Sequence, residues 1–251
     1  MVAKELLINR PRLMLTILIV ISSMVYLADY LVDGSMKEIA TSFLGNLAFL
    51  PIYIIVVTLT LEQILKERER HTLRRKLNMV IGVFFSEVGT RLLRELSGCL
   101  VAADGLRSSL TVTSHWKGRD FQAACSFLEQ YDVKVDCAGF DKAMLKEFLE
   151  SKRAFLVGLL ENQNLLEHEA FTDLLWAVFH LAEELEARDA LEGLPPTDLE
   201  HLHGDIKRVL EHLLREWLLY LQHLRHSYPY LFSLAVRMNP LSAQVSPYVL
   251  Y

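Results

Sequence analysis

The sequence predicts an all-α protein: a two-helix transmembrane hairpin followed by a cytoplasmic helical bundle. Three observations carry that expectation. Two long apolar runs fall within the first 61 of 251 residues, and 52% of the chain is hydrophobic, the balance of a short membrane part joined to a larger water-facing part. Glycine (11) and proline (7) are sparse, which disfavours a turn-rich all-β fold. Beyond the apolar runs, hydrophobic residues return every three or four positions, the period of one helix face.

The first run, LMLTILIVISSMVYLADYLV over 13–32, carries one charge, Asp29, near its end. About 20 such residues rise roughly 30 Å as a helix, the depth of a hydrocarbon core. The run exceeds the h-region of a signal peptide and no small-x-small site follows, so it reads as a span rather than a cleaved leader. The second run, LGNLAFLPIYIIVVTLTL over 44–61, holds no charge. Pro51 within it is tolerated in a membrane helix and bends it.

Basic residues orient the pair. Lys4, Arg10 and Arg12 precede the first run, the connector holds only Lys37, and Lys66, Arg68, Arg70, Arg74, Arg75 and Lys76 follow the second. Both termini are therefore expected in the cytoplasm of an integral cell-membrane protein, with Tyr26 and Tyr30 at the outer interface. Asp29, close enough to the end to reach interfacial water, is expected to have no special role. The basic group over 62–76 reads as a juxtamembrane helix that continues out of the bilayer and contacts anionic lipid headgroups.

Residues 77–251 form the expected cytoplasmic domain. Leu77, Val80, Ile81, Phe84, Phe85, Val88, Leu92 and Leu96 make one apolar stripe, with Gly82, Ser86 and Gly89 allowing close approach on another side. A turn-rich stretch from Gly98 to Gly118 follows, then a helix from about Asp120 to Tyr131. DVKVDCAGF reads as a short extended piece or a connection. Asp141 is expected to cap a helix through about Leu160, with Met144, Leu145, Phe148, Leu149, Phe155 and Leu159 inward.

The next helix is expected to begin with Asn164 as cap and Glu167 at N3 and to bury Phe171, Leu174, Leu175, Val178, Leu181 and Leu185. After GLPPTDLE, with Thr197 and Glu200 read as a capping box, a long helix runs to about His226. Pro229 breaks it, a short aromatic helix ends before Pro240, and an uncharged tail containing Tyr248 and Tyr251 closes the chain.

The functional residues are few. Cys99, Cys125 and Cys137 are odd in number, lack CxxC spacing, and read as reduced structural thiols. There is no GxGxxG, P-loop, HExxH or GxSxG, so no catalytic residue or cofactor is assigned. A net charge of −5 gives no global basic field for nucleic acid.

On the last long helix His201, Asp205, Arg208, His212 and His223 share a face. Turned against His180 with Asp173 or Glu184, that face offers N and O ligands for zinc or iron, with His180, His201, His212 and Asp205 as candidates. The competing expectation is a hydrated face held by pairs such as Asp205–Arg208 and Glu184–Arg188.

The function expected is a membrane-anchored module for sensing or for binding an unknown protein or small ligand, without a catalytic signature and open to homo-oligomerisation. The alternatives are a metal-dependent bundle enzyme and a small oligomeric channel with Asp29 and Asn46 at its pore.

Overall fold

The computed structural model describes residues 11–33, 36–137, 139–162, 165, 168–242 and 245–248. The expectations placed on the side chains of Tyr26 and Asp29, and on Asn164 and Glu167, lie outside the described residues. The helices are α1 (Pro11–Asp33), α2 (Met36–Phe84), α3 (Thr90–Leu96), α4 (Asp104–Ser109), α5 (Gly118–Gln130), α6 (Lys142–Leu160), α7 (Glu169–Glu186), α8 (Pro196–Ser227) and α9 (Pro229–Arg237). A π turn, Phe85–Gly89, joins α2 to α3, and a 3₁₀ turn, Ser97–Cys99, follows α3. Among the described residues there is no strand. DVKVDCAGF contributes one antiparallel bridge, Val135 to Leu100, in which the Asp136 N–H donates to the Cys99 carbonyl at 2.8 Å.

The chain divides into two compact units, Met1–Glu69 and Arg70–Tyr251. In the first, every described side chain from Ala40 to Glu69 is exposed, including Leu44, Phe49, Ile55 and Leu59. Among the described residues one helical path, Ala40–Cys99, is long and apolar enough to cross a membrane; its most apolar 18-residue window has a mean hydropathy of 2.1. In α1 the apolar stretch is shorter, Thr16–Val25. Pro51 lies inside α2 without ending it. The Thr60 hydroxyl donates to the Val56 carbonyl at 2.7 Å, so a polar group in the apolar run is satisfied within its own helix.

The second unit is a helical bundle around α8, which packs against α3, α5, α7 and α9. Trp217 on α8 is its largest fully buried side chain. Each helix presents its apolar stripe inward: Phe84, Phe85, Val88, Leu92 and Leu96 before and along α3, Leu174, Val178 and Leu181 on α7, Leu202, Ile206, Val209 and Leu213 on α8. At about 25 cal/mol per Å² of apolar surface removed from water, such stripes supply the main stabilisation.

Several local expectations are corrected. On α6 the inward residues include Leu156, while Met144 is exposed and Phe155 only partly buried; about 100° per residue carries the face past both. Asp141 does cap α6, its side chain accepting from the Met144 N–H at 2.9 Å. The α7 cap is His168, whose Nδ1 accepts from the Phe171 N–H at 3.1 Å. No Thr197–Glu200 capping box forms, because α8 starts two residues earlier with Pro196 at its first turn and Pro195 as N-cap. The α5 helix also starts earlier, at Gly118, and Asp120 accepts from the Lys117 N–H at 2.6 Å.

Candidate metal centre

Helices α7 and α8 are joined by residues 187–195, where Gly193 adopts φ +70°, a conformation that side-chain-bearing residues rarely take. Their buried leucine and valine stripes meet, and polar residues one turn apart flank the contact: His180 and Glu184 on α7, His201 and Asp205 on α8. His180 Nε2 lies 3.6 Å from Asp205 Oδ2, and His201 Nε2 lies 3.6 Å from Glu184 Oε2. Rising numbers on one helix thus meet falling numbers on the other, an antiparallel pairing.

Two further distances close the group. His201 Nε2 is 3.4 Å from Asp205 Oδ2, and His180 Nε2 is 3.8 Å from Glu184 Oε1. One ligand atom from each of the four residues lies within 4.8 Å of all the others. The quartet has a dry wall and an open one: the Asp205 side chain is 3% exposed, the histidines 44% and 53%.

Both carboxylates are held from behind by arginine. Arg208 Nη1 donates to Asp205 Oδ1 at 2.8 Å, while Oδ2, aimed into the quartet, has no hydrogen-bond partner. Arg188 Nη1 donates to Glu184 Oε2 at 2.7 Å and to the Glu184 carbonyl. Its other nitrogens grip Asp198 at 2.6 and 2.9 Å in the two-pronged geometry that suits guanidinium and carboxylate. The Arg188 hydrogen bond holds the Glu184 carboxyl below its ordinary range, and the charges of Arg188 and both histidines add to this. Glu184 is therefore anionic at neutral pH and able to ligate.

Of the four sequence candidates, the structure gathers His180, His201 and Asp205 with Glu184; His212 stays outside the group. The pairs Glu184–Arg188 and Asp205–Arg208 are also present, as backing to the quartet. Asp198 as the brace of Arg188 was not foreseen; an acidic residue in the first turn after Pro195–Pro196 was its only sequence signal. A cleft of about 540 Å³ is lined by Phe140, Lys142, Leu191, Leu194 and Leu199, none of them a quartet member.

Two other buried polar features lie elsewhere in the bundle. The three cysteines are free; Cys99 and Cys137 are buried, and their mutual influence raises the pKa of Cys99 and lowers that of Cys137. Nothing in a 38-residue separation announces that pairing. Glu216 on α8 is 1% exposed, its Oε1 has no hydrogen-bond partner, and burial pushes its carboxyl up to about 7.

Comparison with known proteins gives the following. A family described as "Uncharacterized protein MJ1433, C-terminal helical domain" matches residues 73–237, and one described as "MJ1433, N-terminal helical domain" matches residues 6–65. The protein named "Uncharacterized protein MJ1433" from Methanocaldococcus jannaschii is 43% identical over 235 residues, covering 92% of this chain and 94% of that protein. No solved structure matches the chain.

Proposed function

The chain belongs to the MJ1433 family, an N-terminal and a C-terminal helical domain in one polypeptide, and from that premise we propose that it is a membrane-anchored helical module for sensing or interaction. In this reading the N-terminal domain is a two-span hairpin and the C-terminal bundle binds a protein or small ligand in the cytoplasm.

The observation that carries it is the run 44–61, uncharged and with every side chain exposed. Water tolerates scattered apolar side chains, but a contiguous apolar surface of this extent marks a membrane or partner contact. The length suits a bilayer, and the cationic group that follows, Lys66, Arg68, Arg70, Arg74, Arg75 and Lys76, suits a cytoplasmic flank against anionic headgroups. The α2 helix passes from the apolar run through these residues unbroken, which fits it to carry a displacement between hairpin and bundle.

Fractionation tests the anchor. The full-length protein should remain in the membrane pellet after alkaline carbonate and leave it in mild detergent. Recovery in the carbonate supernatant would defeat the reading.

A further inference from the structure

We infer that His180, Glu184, His201 and Asp205 form a closed four-coordinate site for one divalent transition-metal ion, with Zn²⁺ the ion it fits best. This inference goes beyond the membrane reading and does not depend on it.

Geometry separates this arrangement from ordinary ion pairing. An imidazolium paired with a carboxylate closes to about 2.7–2.9 Å. The four Nε2–O distances are instead 3.4, 3.6, 3.6 and 3.8 Å, and no hydrogen bond joins either histidine to either acid. A tetrahedral ion with bonds of about 2.0–2.1 Å places its ligand atoms about 3.4 Å from one another. The ligand atoms of the quartet, one from each residue, already lie within 4.8 Å of one another, so small side-chain rotations bring them to that spacing around an ion.

The unpartnered Asp205 oxygen is the second, independent observation. A carboxylate oxygen buried without a partner costs stability, and here its partner oxygen is fixed by Arg208, so Oδ2 stays directed between the two imidazoles. A cation seated there would satisfy it. Arg208 and Arg188 then act as outer supports that fix the orientation of the two carboxylates, as such supports do in metal sites.

The donor set narrows the ion. Two imidazole nitrogens disfavour Mg²⁺ and Ca²⁺, which take oxygen ligands, and two nitrogens with two carboxylates in a tetrahedral frame suit Zn²⁺. Four protein ligands leave no position for a water or substrate, which makes the site a clasp between α7 and α8 rather than a hydrolytic centre.

The test uses full-length protein in mild detergent, stripped with a chelator and desalted. Titration with Zn²⁺ against a chromophoric competitor should give one equivalent per chain, and Co²⁺ in its place should show the intense visible bands of tetrahedral coordination. His180→Gln and His201→Gln, at exposed positions that leave the core intact, should each weaken Zn²⁺ by at least about 100-fold, more than the loss of an outer support. Arg208→Gln should weaken it by about 10- to 100-fold, and His212→Gln should leave it unchanged.

Added Zn²⁺ should also raise the melting temperature of the wild-type protein and not of the histidine variants, because it binds the folded state alone. Less than one equivalent in the wild type, undiminished affinity in the histidine variants, an octahedral Co²⁺ spectrum, or an equal loss in His212→Gln would each overturn the assignment. None of these readings changes with the carbonate result.

Discussion

Phe85 stacks face to face on Tyr220, with ring centroids 4.8 Å apart and planes 10° from parallel, and this contact ties the π turn to α8. Phe84 next to it meets Phe171 of α7 edge-on at 5.3 Å. Two successive residues of a regular helix point about 100° apart; here both are fully buried, each against a different helix.

Gly89, at the end of the π turn, is the residue that leaves space for the pair. A Cβ there would lie 2.7 Å from Phe85 Cδ1 and 2.8 Å from Phe84 Cε1. Gly89→Ala is therefore expected to lower stability, the overpacking cost of about 1–3 kcal/mol exceeding the helix-propensity gain of about 1 kcal/mol. Gly82, one turn before the π segment, is the control: its Cβ would meet Tyr220 at an ordinary 3.7 Å, and Gly82→Ala should be neutral or stabilising by up to about 1 kcal/mol. Urea denaturation of both variants checks the opposite signs.

Glu216 makes stability pH-dependent. Its folded pKa of about 7 stands above the ordinary carboxyl value of 4.5 because burial penalises the anion. Between those values the folded state holds the extra proton, so its contribution is full below about pH 4.5 and is lost as pH rises through 7. The loss is on the order of 3 kcal/mol. Glu216→Gln should flatten the fall in stability between pH 5 and 8 and be the more stable protein at pH 8. A variant curve parallel to that of the wild type would refute this origin of the slope.

Much of the bundle was legible because burial repeats at the helical period: the α7 stripe of Phe171, Leu174, Leu175, Val178, Leu181 and Leu185 is buried throughout. The quartet was legible only in part. Angular position puts His201, Asp205 and His212 on one face, but seven residues from Asp205 to His212 are about 10 Å of rise, too far to share an ion. Which residues of α7 stand opposite depends on how 187–195 sets the register between the helices, and no periodicity encodes that. The π turn was hidden for a related reason, since Phe84 and Phe85 fit a wide apolar stripe whether or not the helix widens there.

Cys99 and Cys137 should report on the opening of the bundle. Both are free thiols buried beside the Leu100–Val135 bridge, so a thiol reagent reaches them only when that region opens. Alkylation of Cys99 is expected to be slow under native conditions and to accelerate with urea in step with global unfolding. Fast labelling of both thiols in native buffer would mean that the bridge region opens independently of the core.

The mechanical role proposed for α2 makes a prediction about residues 62–76. This segment lies wholly within α2, and Glu62 and Lys66 pair across one turn at 2.7 Å. An isolated helix of about 15 residues is marginal in water, and an exposed ion pair adds at most about 0.5 kcal/mol. Persistent helix here must therefore be propagated from the flanking segments. Hydrogen exchange on the full-length protein should show amides 62–76 protected well above an unstructured chain. Arg70→Pro, which costs a helix interior about 3 kcal/mol, should release that protection locally while the core amides of α7 and α8 keep theirs. Amides 62–76 that exchange freely in the wild type would remove the continuous helix on which the proposed coupling depends.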